Sequence, residues 1–251
     1  VNNVGLVRAN EEFSRWLRNE VTLPFGKNNQ HVPVRLIDFD GISNNSFILT
    51  NQFKIRAREI KIPDIVMFVN GIPLVVGEAK TPVRPAVSWF DGAHDINVVY
   101  ENSVPQLFVP NVFSFSTEGK EVCIGAVRTP LEYWAPWRIE NGKDELSHMM
   151  GLQDVAGQLK HLLHPSTLLD ILQFFTVYAT SGKKRKVKIV TRYQQYEGAN
   201  AIVQRVRDGK IRKGLIWHFQ GSGKSLLMLF AAQKMRKQED LNNPTILIVV
   251  D

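Results

Sequence analysis

The stretch PDIVMFVNGIPLVVGEAK, residues 63–80, sets two acids and a lysine at the open end of an otherwise apolar hairpin. Asp64 precedes the first strand, and Glu78 and Lys80 close the second. Residues two apart on a strand face the same way, so Glu78 and Lys80 share a face while Ala79 is free to pack on the other. Asn70-Gly71 signals the turn. A two-residue turn pairs position 64 with 77 and puts Asp64 and Glu78 on opposite faces. A three-residue loop, Val69-Asn70-Gly71, pairs 64 with 76 and makes the two acids diagonal neighbours on one face, roughly 7–8 Å apart at the backbone. If these residues do chemistry, the second geometry is expected. That chemistry is phosphodiester hydrolysis. Asp64 and Glu78 would hold Mg²⁺ while leaving waters and a substrate phosphate in its shell. The metal polarises the phosphoryl oxygen and acidifies a bound water. A lysine beside it orients that water or offsets charge developing on phosphorus. An E-x-K triplet alone says little, but Pro-Asp, an apolar strand, a turn and an apolar strand ending in E-x-K is far more specific.

A second constellation is HFQGSGKS, His218–Ser225, between a β-rich run and an apolar helix. Gln220, Gly221, Ser222 and Gly223 form a loop whose N–H groups could close around phosphates at a helix N-terminus. Lys224 would reach the β- and γ-phosphates of ATP, and the Ser225 hydroxyl would join a Mg²⁺ shell. The strict pattern G-x-x-x-x-G-K-[ST] has glycine where this chain has His218. Two basic runs also stand out. KIRAREIK leads into Asp64 and offers Lys54, Arg56, Arg58 and Lys61 to a DNA backbone, which such residues grip without reading sequence. KKRKVK, residues 183–188, reads as a linker. His31, His148, His161 and His164 have no metal-ligand spacing and read as structural.

These groups need elements to hold them. Ala9–Val21 has Phe13, Trp16, Leu17 and Val21 at helical spacing, with Asn10 as N-cap. Val34–Phe39, Ser46–Arg56 and the hairpin are strand-like. Trp89–Glu101 reads as a helix, and LFVPNVFSFSTEG and KEVCIGAV as strands around Glu118-Gly119. HMMGLQDVAGQLKHLLHPSTLLDILQFFTVY is helical and divided by Pro165. Ser181–Lys188 is the expected junction, giving domains 1–180 and 181–251. Beyond it, helix Tyr196–Arg207, strand GLIWHF, helix Gly223–Gln238 and strand TILIVVD begin a βαβ unit with a parallel sheet.

With 251 residues, 44% hydrophobic and 22% charged, the chain has enough apolar content for a large core. A net charge of +7 favours a polyanionic partner. Cys123, the one cysteine, reads as a buried small hydrophobe in a reducing, cytoplasmic compartment. No run has transmembrane length, so no membrane partner is expected. The start at Val1 and the stop at Asp251 after ILIVV read as cuts in a longer protein.

The hairpin resembles the PD-(D/E)xK nuclease motif. Together, VRLIDF, NNSFILTNQF, IPDIVMFVNGIPLVVGEAK, VPQLF, APWR and GLIWHFQGSGKSL resemble the restriction (R) subunit of type I restriction-modification enzymes over about Val34–Val250. The resemblance implies an α/β chain: a PD-(D/E)xK fold, a mixed sheet flanked by helices, followed by the start of a RecA-like P-loop helicase lobe. Asp64 and Glu78 then become metal ligands and Lys80 the catalytic lysine. Such domains commonly carry a glutamine four residues before a tyrosine; Tyr100 fits the tyrosine slot, but the glutamine slot is Ile96, with His94 and Asp95 nearby. TRYQQYEGANAIV resembles the helicase adenine-recognition segment, with Gln195 as its glutamine, whose amide suits the N6/N7 edge of adenine. Glu11 or Glu12 could add a carboxylate. Walker B acids, an arginine finger and a second motor lobe would lie beyond Asp251.

What the resemblance implies is Mg²⁺-dependent cutting of double-stranded DNA away from a recognition site, driven by ATP, in a complex with modification (methyltransferase) and specificity subunits. Two alternatives stay open. One is a stand-alone helicase-nuclease of repair or phage defence. The other is a motor or DNA-binding module with an inactive nuclease-like domain.

Overall fold

The computed structural model describes residues 5–84, 86–139, 154–182 and 185–249. The chain divides into two compact units, 1–190 and 191–251. The first opens with helix α1 (Leu6–Leu17) and two exposed strands, β1 (Thr22–Phe25) and β2 (Gln30–Pro33), paired as a hairpin. β3 (Phe47–Asn51) follows, then the small hairpin β4 (Ile55–Arg56) and β5 (Ile60–Lys61), then β6 (Ile65–Val69) and β7 (Ile72–Ala79). Helix α2 (Trp89–His94) continues through a π-helical stretch, Asp95–Tyr100, into the single turn α3 (Glu101–Ser103). β8 (Phe113–Thr117), β9 (Val122–Gly125) and β10 (Ala135–Pro136) come next. The unit closes with α4 (Val155–Leu162), α5 (Pro165–Phe174), β11 (Thr176–Thr180) and β12 (Lys186–Val190).

Six of these strands form one mixed sheet in the order β10-β9-β8-β7-β6-β3. All neighbours are antiparallel except β7 and β8, which run parallel because α2 and its continuation make the crossover between them. Val66 and Val76, directly paired on β6 and β7, pack in a core cluster with Ala93, Ile96, Val104, Leu107, Phe108 and Cys123. Each such fully buried aliphatic side chain contributes roughly 1.5–3 kcal/mol. Cys123 is thus a core residue, as its apolar setting suggests.

Several elements differ from expectation. Residues 34–39 form a loop rather than a strand. Asp38 accepts bonds from Asp40 N, Gly41 N and Asn44 Nδ2, giving the backbone a turn in place of a ladder. Asn10 does not cap α1, which starts four residues earlier after Gly5. It lies on the buried face, where Nδ2 donates to the carbonyls of Phe108 (3.0 Å), Val109 (2.8 Å) and Asn111 (2.8 Å), while Oδ1 accepts from Tyr178. Ser14, one turn on, bonds the same Tyr178 hydroxyl at 2.6 Å. The segment expected as the junction contains β12, which pairs back on β11, so the division falls at 190/191 instead. Lys188 on that strand is buried and donates to the Asn111 carbonyl. Lys183, Lys184, His148 and the first part of the expected helix before Pro165 lie outside the described residues.

The second unit contains α6 (Tyr193–Asp208) and α7 (Lys224–Arg236), packed on each other through Ala199, Val203, Leu227 and Phe230. Neither expected strand here is formed among the described residues: 214–219 and 245–249 have strand composition but no hydrogen-bonded neighbour. A strand exists only as a member of a ladder.

The Asn10 network predicts that Asn10→Ala lowers unfolding free energy by about 1–3 kcal/mol, because three carbonyls lose the amide that ties them together and the Tyr178 hydroxyl loses an acceptor. Asn10→Asp should cost more near neutral pH, since a carboxylate oxygen would then face those carbonyls. Chemical denaturation of the three proteins checks the order.

Candidate active site

Asp64 and Glu78 meet because of the register of β6 against β7. Val69 pairs with Ile72 across a two-residue turn whose Asn70 and Gly71 both have positive φ, 52° and 79°. The expected three-residue loop is therefore not formed. Continued unbroken, this register would set Asp64 opposite Gly77. Instead Phe68 pairs with Pro73 and Met67 with Val75, leaving Leu74 as the extra residue of a β-bulge. Pro73 has no N–H for the ladder, which favours a break at that point. Beyond the bulge Val66 faces Val76 and Ile65 faces Gly77, so the next position sets Asp64 directly across from Glu78. The two acids converge on one face, as their chemistry requires, but by a bulge and as an opposed pair rather than a diagonal one.

The contacts are close. Asp64 N donates to Glu78 Oε1 at 3.2 Å, and Ala79 N donates to Asp64 Oδ2 at 3.0 Å. Tyr100 Oη donates to Glu78 Oε1 at 3.0 Å. Lys80 Nζ lies 3.2 Å from Glu78 Oε2 and 2.6 Å from Asp95 Oδ2. Side-chain exposure is 3% for Glu78, 23% for Lys80 and 38% for Asp95, so the cluster runs from a buried acid to an open rim. Burial pushes the Glu78 carboxyl up and Asp64 pushes it further, while Lys80 and Tyr100 pull it back. Burial alone would lower Lys80, but Asp95 and Glu78 outweigh it and raise it. Burial and then the Glu78 charge hold the Tyr100 phenol well above its ordinary range, so it stays a donor. Two acids that repel each other at a partly open edge have the chemistry to hold a small divalent cation. No group of three or more His, Cys, Asp or Glu side chains placed to hold a metal ion exists among the described residues. Mg²⁺ needs only one or two carboxylates, because it keeps its waters, so the pair fits it.

The helix over this face supplies the remaining groups. Ser88 caps α2 in a reciprocal box with Asp91. Gly92 lets the helix approach: a Cβ there would lie 2.3 Å from Ser116 Oγ and 3.0 Å from Glu78 Cβ. Ser116 Oγ in turn donates to Trp89 O at 2.7 Å. Asp95 and Gly92 lie outside the motif that singles out Asp64, Glu78 and Lys80. A glycine inside a helix after an E-x-K strand is the available signal for the second; for the first it is an acid next to the apolar Ile96 in the glutamine slot. Ile96 is fully buried in the core, and Glu11 is tied to Lys186 at 2.8 Å. Lys54, Arg56 and Arg58 are exposed on and around β4, whereas Lys61 is held by Glu59 at 2.7 Å.

In the second unit the loop before α7 is built on Gly221 and Gly223, both at φ 83°. Lys224 Nζ donates to the loop carbonyls of His218 (3.3 Å) and Phe219 (3.1 Å), and Gln220 and Ser225 are exposed. Ser222 Oγ is buried and unpartnered among the described residues. Gln195 is buried. Its Oε1 accepts from Arg192 N at 2.9 Å, and its Nε2 donates to Ser222 O (3.1 Å) and Gly223 O (3.3 Å). Both halves of its amide are thus engaged with main chain.

Residues 1–133 match the family described as Type I restriction enzyme R protein N terminus. This chain belongs to that family. Residues 194–251 match the SWI2/SNF2 ATPase family. A similar protein is the type I restriction enzyme HindI endonuclease subunit of Haemophilus influenzae, 33% identical over 98% of this chain and 24% of its own length. Another is the putative type I restriction enzyme MjaVIIIP endonuclease subunit of Methanocaldococcus jannaschii, 29% identical over 96% of this chain and 24% of its own. This R-protein chain spans about a quarter of the length of the curated relatives it matches. No helix among its described residues is long and apolar enough to cross a membrane.

The tight approach at Gly92 in this R-protein chain predicts that Gly92→Ala destabilises by about 1–3 kcal/mol and moves α2 off β7 and β8. Adding Ser116→Ala should recover part of that loss, since it removes the nearest atom. Thermal melts of the single and double variants test this.

Proposed function

We propose that the first unit is the Mg²⁺-dependent nuclease of a type I restriction enzyme, a PD-(D/E)xK domain that cuts double-stranded DNA, and that the second begins an ATP-driven, RecA-like motor lobe. The observation that carries the reading is the opposed Asp64–Glu78 pair with Lys80 beside it, on one face at the end of two paired strands. Asp64 and Glu78 would hold the ion. When bound, Mg²⁺ would neutralise charge on the phosphate and make a water more acidic. Tyr100 and the Asp64 N–H fix one oxygen of Glu78, which keeps its carboxylate oriented. Lys80 stays an ammonium and places positive charge where the phosphorus oxygens gain negative charge. Lys54, Arg56 and Arg58, just ahead of Asp64 in the chain, would grip the DNA backbone without reading bases. That suits an enzyme whose site choice rests with separate specificity and modification subunits, working in the cytoplasm.

In the second unit, the match to an ATPase family and the loop geometry support ATP binding at Gln220–Ser225. Phosphates would replace the carbonyls that Lys224 now bonds, and the Ser225 hydroxyl would meet the nucleotide's Mg²⁺. Gln195 would act in nucleotide binding through the loop it braces.

In the full-length protein assembled in its restriction complex, Asp64→Asn, Glu78→Gln and Lys80→Ala should each reduce Mg²⁺-dependent cutting by roughly 100-fold or more while ATP hydrolysis continues. Lys224→Ala should abolish ATP hydrolysis. Wild-type cutting by Asp64→Asn and Lys80→Ala would remove the nuclease assignment.

A further inference from the structure

Asp95 is a carboxylate placed in the cluster by an unusual piece of backbone. In an α-helix five residues turn through about 500°, which carries Asp95 well off the Tyr100 face. The residue that α-helical spacing puts one turn before Tyr100 is Ile96, and Ile96 is fully buried in the core. The helix is π-wound over Asp95–Tyr100, closing each turn one residue later. That winding brings residues five apart onto nearly the same side. Asp95 and Tyr100 accordingly reach the same end of β7: Tyr100 donates to Glu78 at 3.0 Å, and Asp95 accepts from Lys80 at 2.6 Å. Asp95 plays no part in the core, being 38% exposed, and no Pro or Gly within Asp95–Tyr100 forces the wide winding. π-helical turns are rare and cluster at functional sites.

We infer that Asp95 is the positioning residue for Lys80, and that the π-helical stretch exists to deliver it. The inference rests on the nuclease reading of this site. Lys80 lies between two carboxylates, and the shorter contact is with Asp95 rather than with the proposed ligand Glu78. Without Asp95 the ammonium would lose its shorter contact and swing outward into solvent. With it, the amine is shared between Asp95 and Glu78 and held at the rim of the acid pair. Asp95 acts on the lysine and does not itself touch the reacting phosphate.

The first test needs no catalysis. In the metal-free full-length protein, acylation of Lys80 by an amine-reactive reagent, followed by mass spectrometry with Lys54 as internal reference, should be several-fold faster in Asp95→Ala than in wild type. An unchanged Lys80 rate would overturn the inference whatever the protein's activity. In the assembled complex, Asp95→Ala should lower kcat for DNA cutting roughly 10- to 100-fold with KM for DNA little changed. Asp95→Glu should recover much of that loss. Adding Ile96→Gln to Asp95→Ala should recover nothing, because position 96 faces the core; recovery there would overturn the π-helical placement. If Asp64→Ala and Lys80→Ala cut normally, the nuclease reading fails by itself, and the labelling ratio still decides whether Asp95 holds Lys80.

Discussion

The candidate site depends on a register. Between the turn and the open end of the central hairpin, β7 contributes one residue more than β6, and that extra residue, Leu74, determines which side chains oppose each other. It sets Val66 against Val76 beneath the helix, where both are fully buried, and it sets Asp64 against Glu78 one same-face step further out. A shift by a single residue would exchange the faces and strand a carboxylate among apolar side chains. The hydrophobic pair therefore protects the polar one: burying the valines in any other register would cost the core and separate the acids.

Around that pair the structure balances one strong repulsion. Two carboxylates converge, one of them almost wholly buried, and their mutual charge is offset by groups on all sides. Tyr100 and a main-chain N–H donate to one oxygen of Glu78, Lys80 donates to the other, and the Ala79 N–H donates to Asp64. The cover that brings Tyr100 and Asp95 into reach can approach only because Gly92 has no side chain where Ser116 and Glu78 pack. Exposure rises from Glu78 through Lys80 to Asp95, so the arrangement opens to solvent on the Asp95 side.

The second unit follows a different logic. Its glycine loop is closed on itself, with a lysine bonded to the loop's own carbonyls and a glutamine amide bracing the same turn. Such a loop is held in shape by its own hydrogen bonds. Gln195 shows how a side chain chosen for its donor and acceptor can use both on main chain, a choice that residue type alone does not reveal.

Local pattern singles out the members of the candidate site. Pro-Asp, two apolar runs around Asn-Gly and E-x-K identified Asp64, Glu78 and Lys80, because strand alternation and turn chemistry are local and leave a local pattern. The glycine-lysine loop and both flanking helices were equally legible, and so was the family. Only the tertiary structure decided how the groups meet. The three-residue loop expected from spacing is replaced by a two-residue turn and a bulge at Leu74 beside Pro73, because a residue that drops out of pairing is a property of the ladder. Asn10, which reads as a cap, is buried because Tyr178 and three carbonyls from distant segments surround it. Strands at 214–219 and 245–249 were legible in composition but are not formed, since a strand requires a neighbour. Asp95 joined the site through π-winding, a departure of one residue per turn that leaves no mark in the periodicity of a short helix. Local patterns name the residues; pairing partners and helical pitch, which are properties of the assembled chain, set the distances between them.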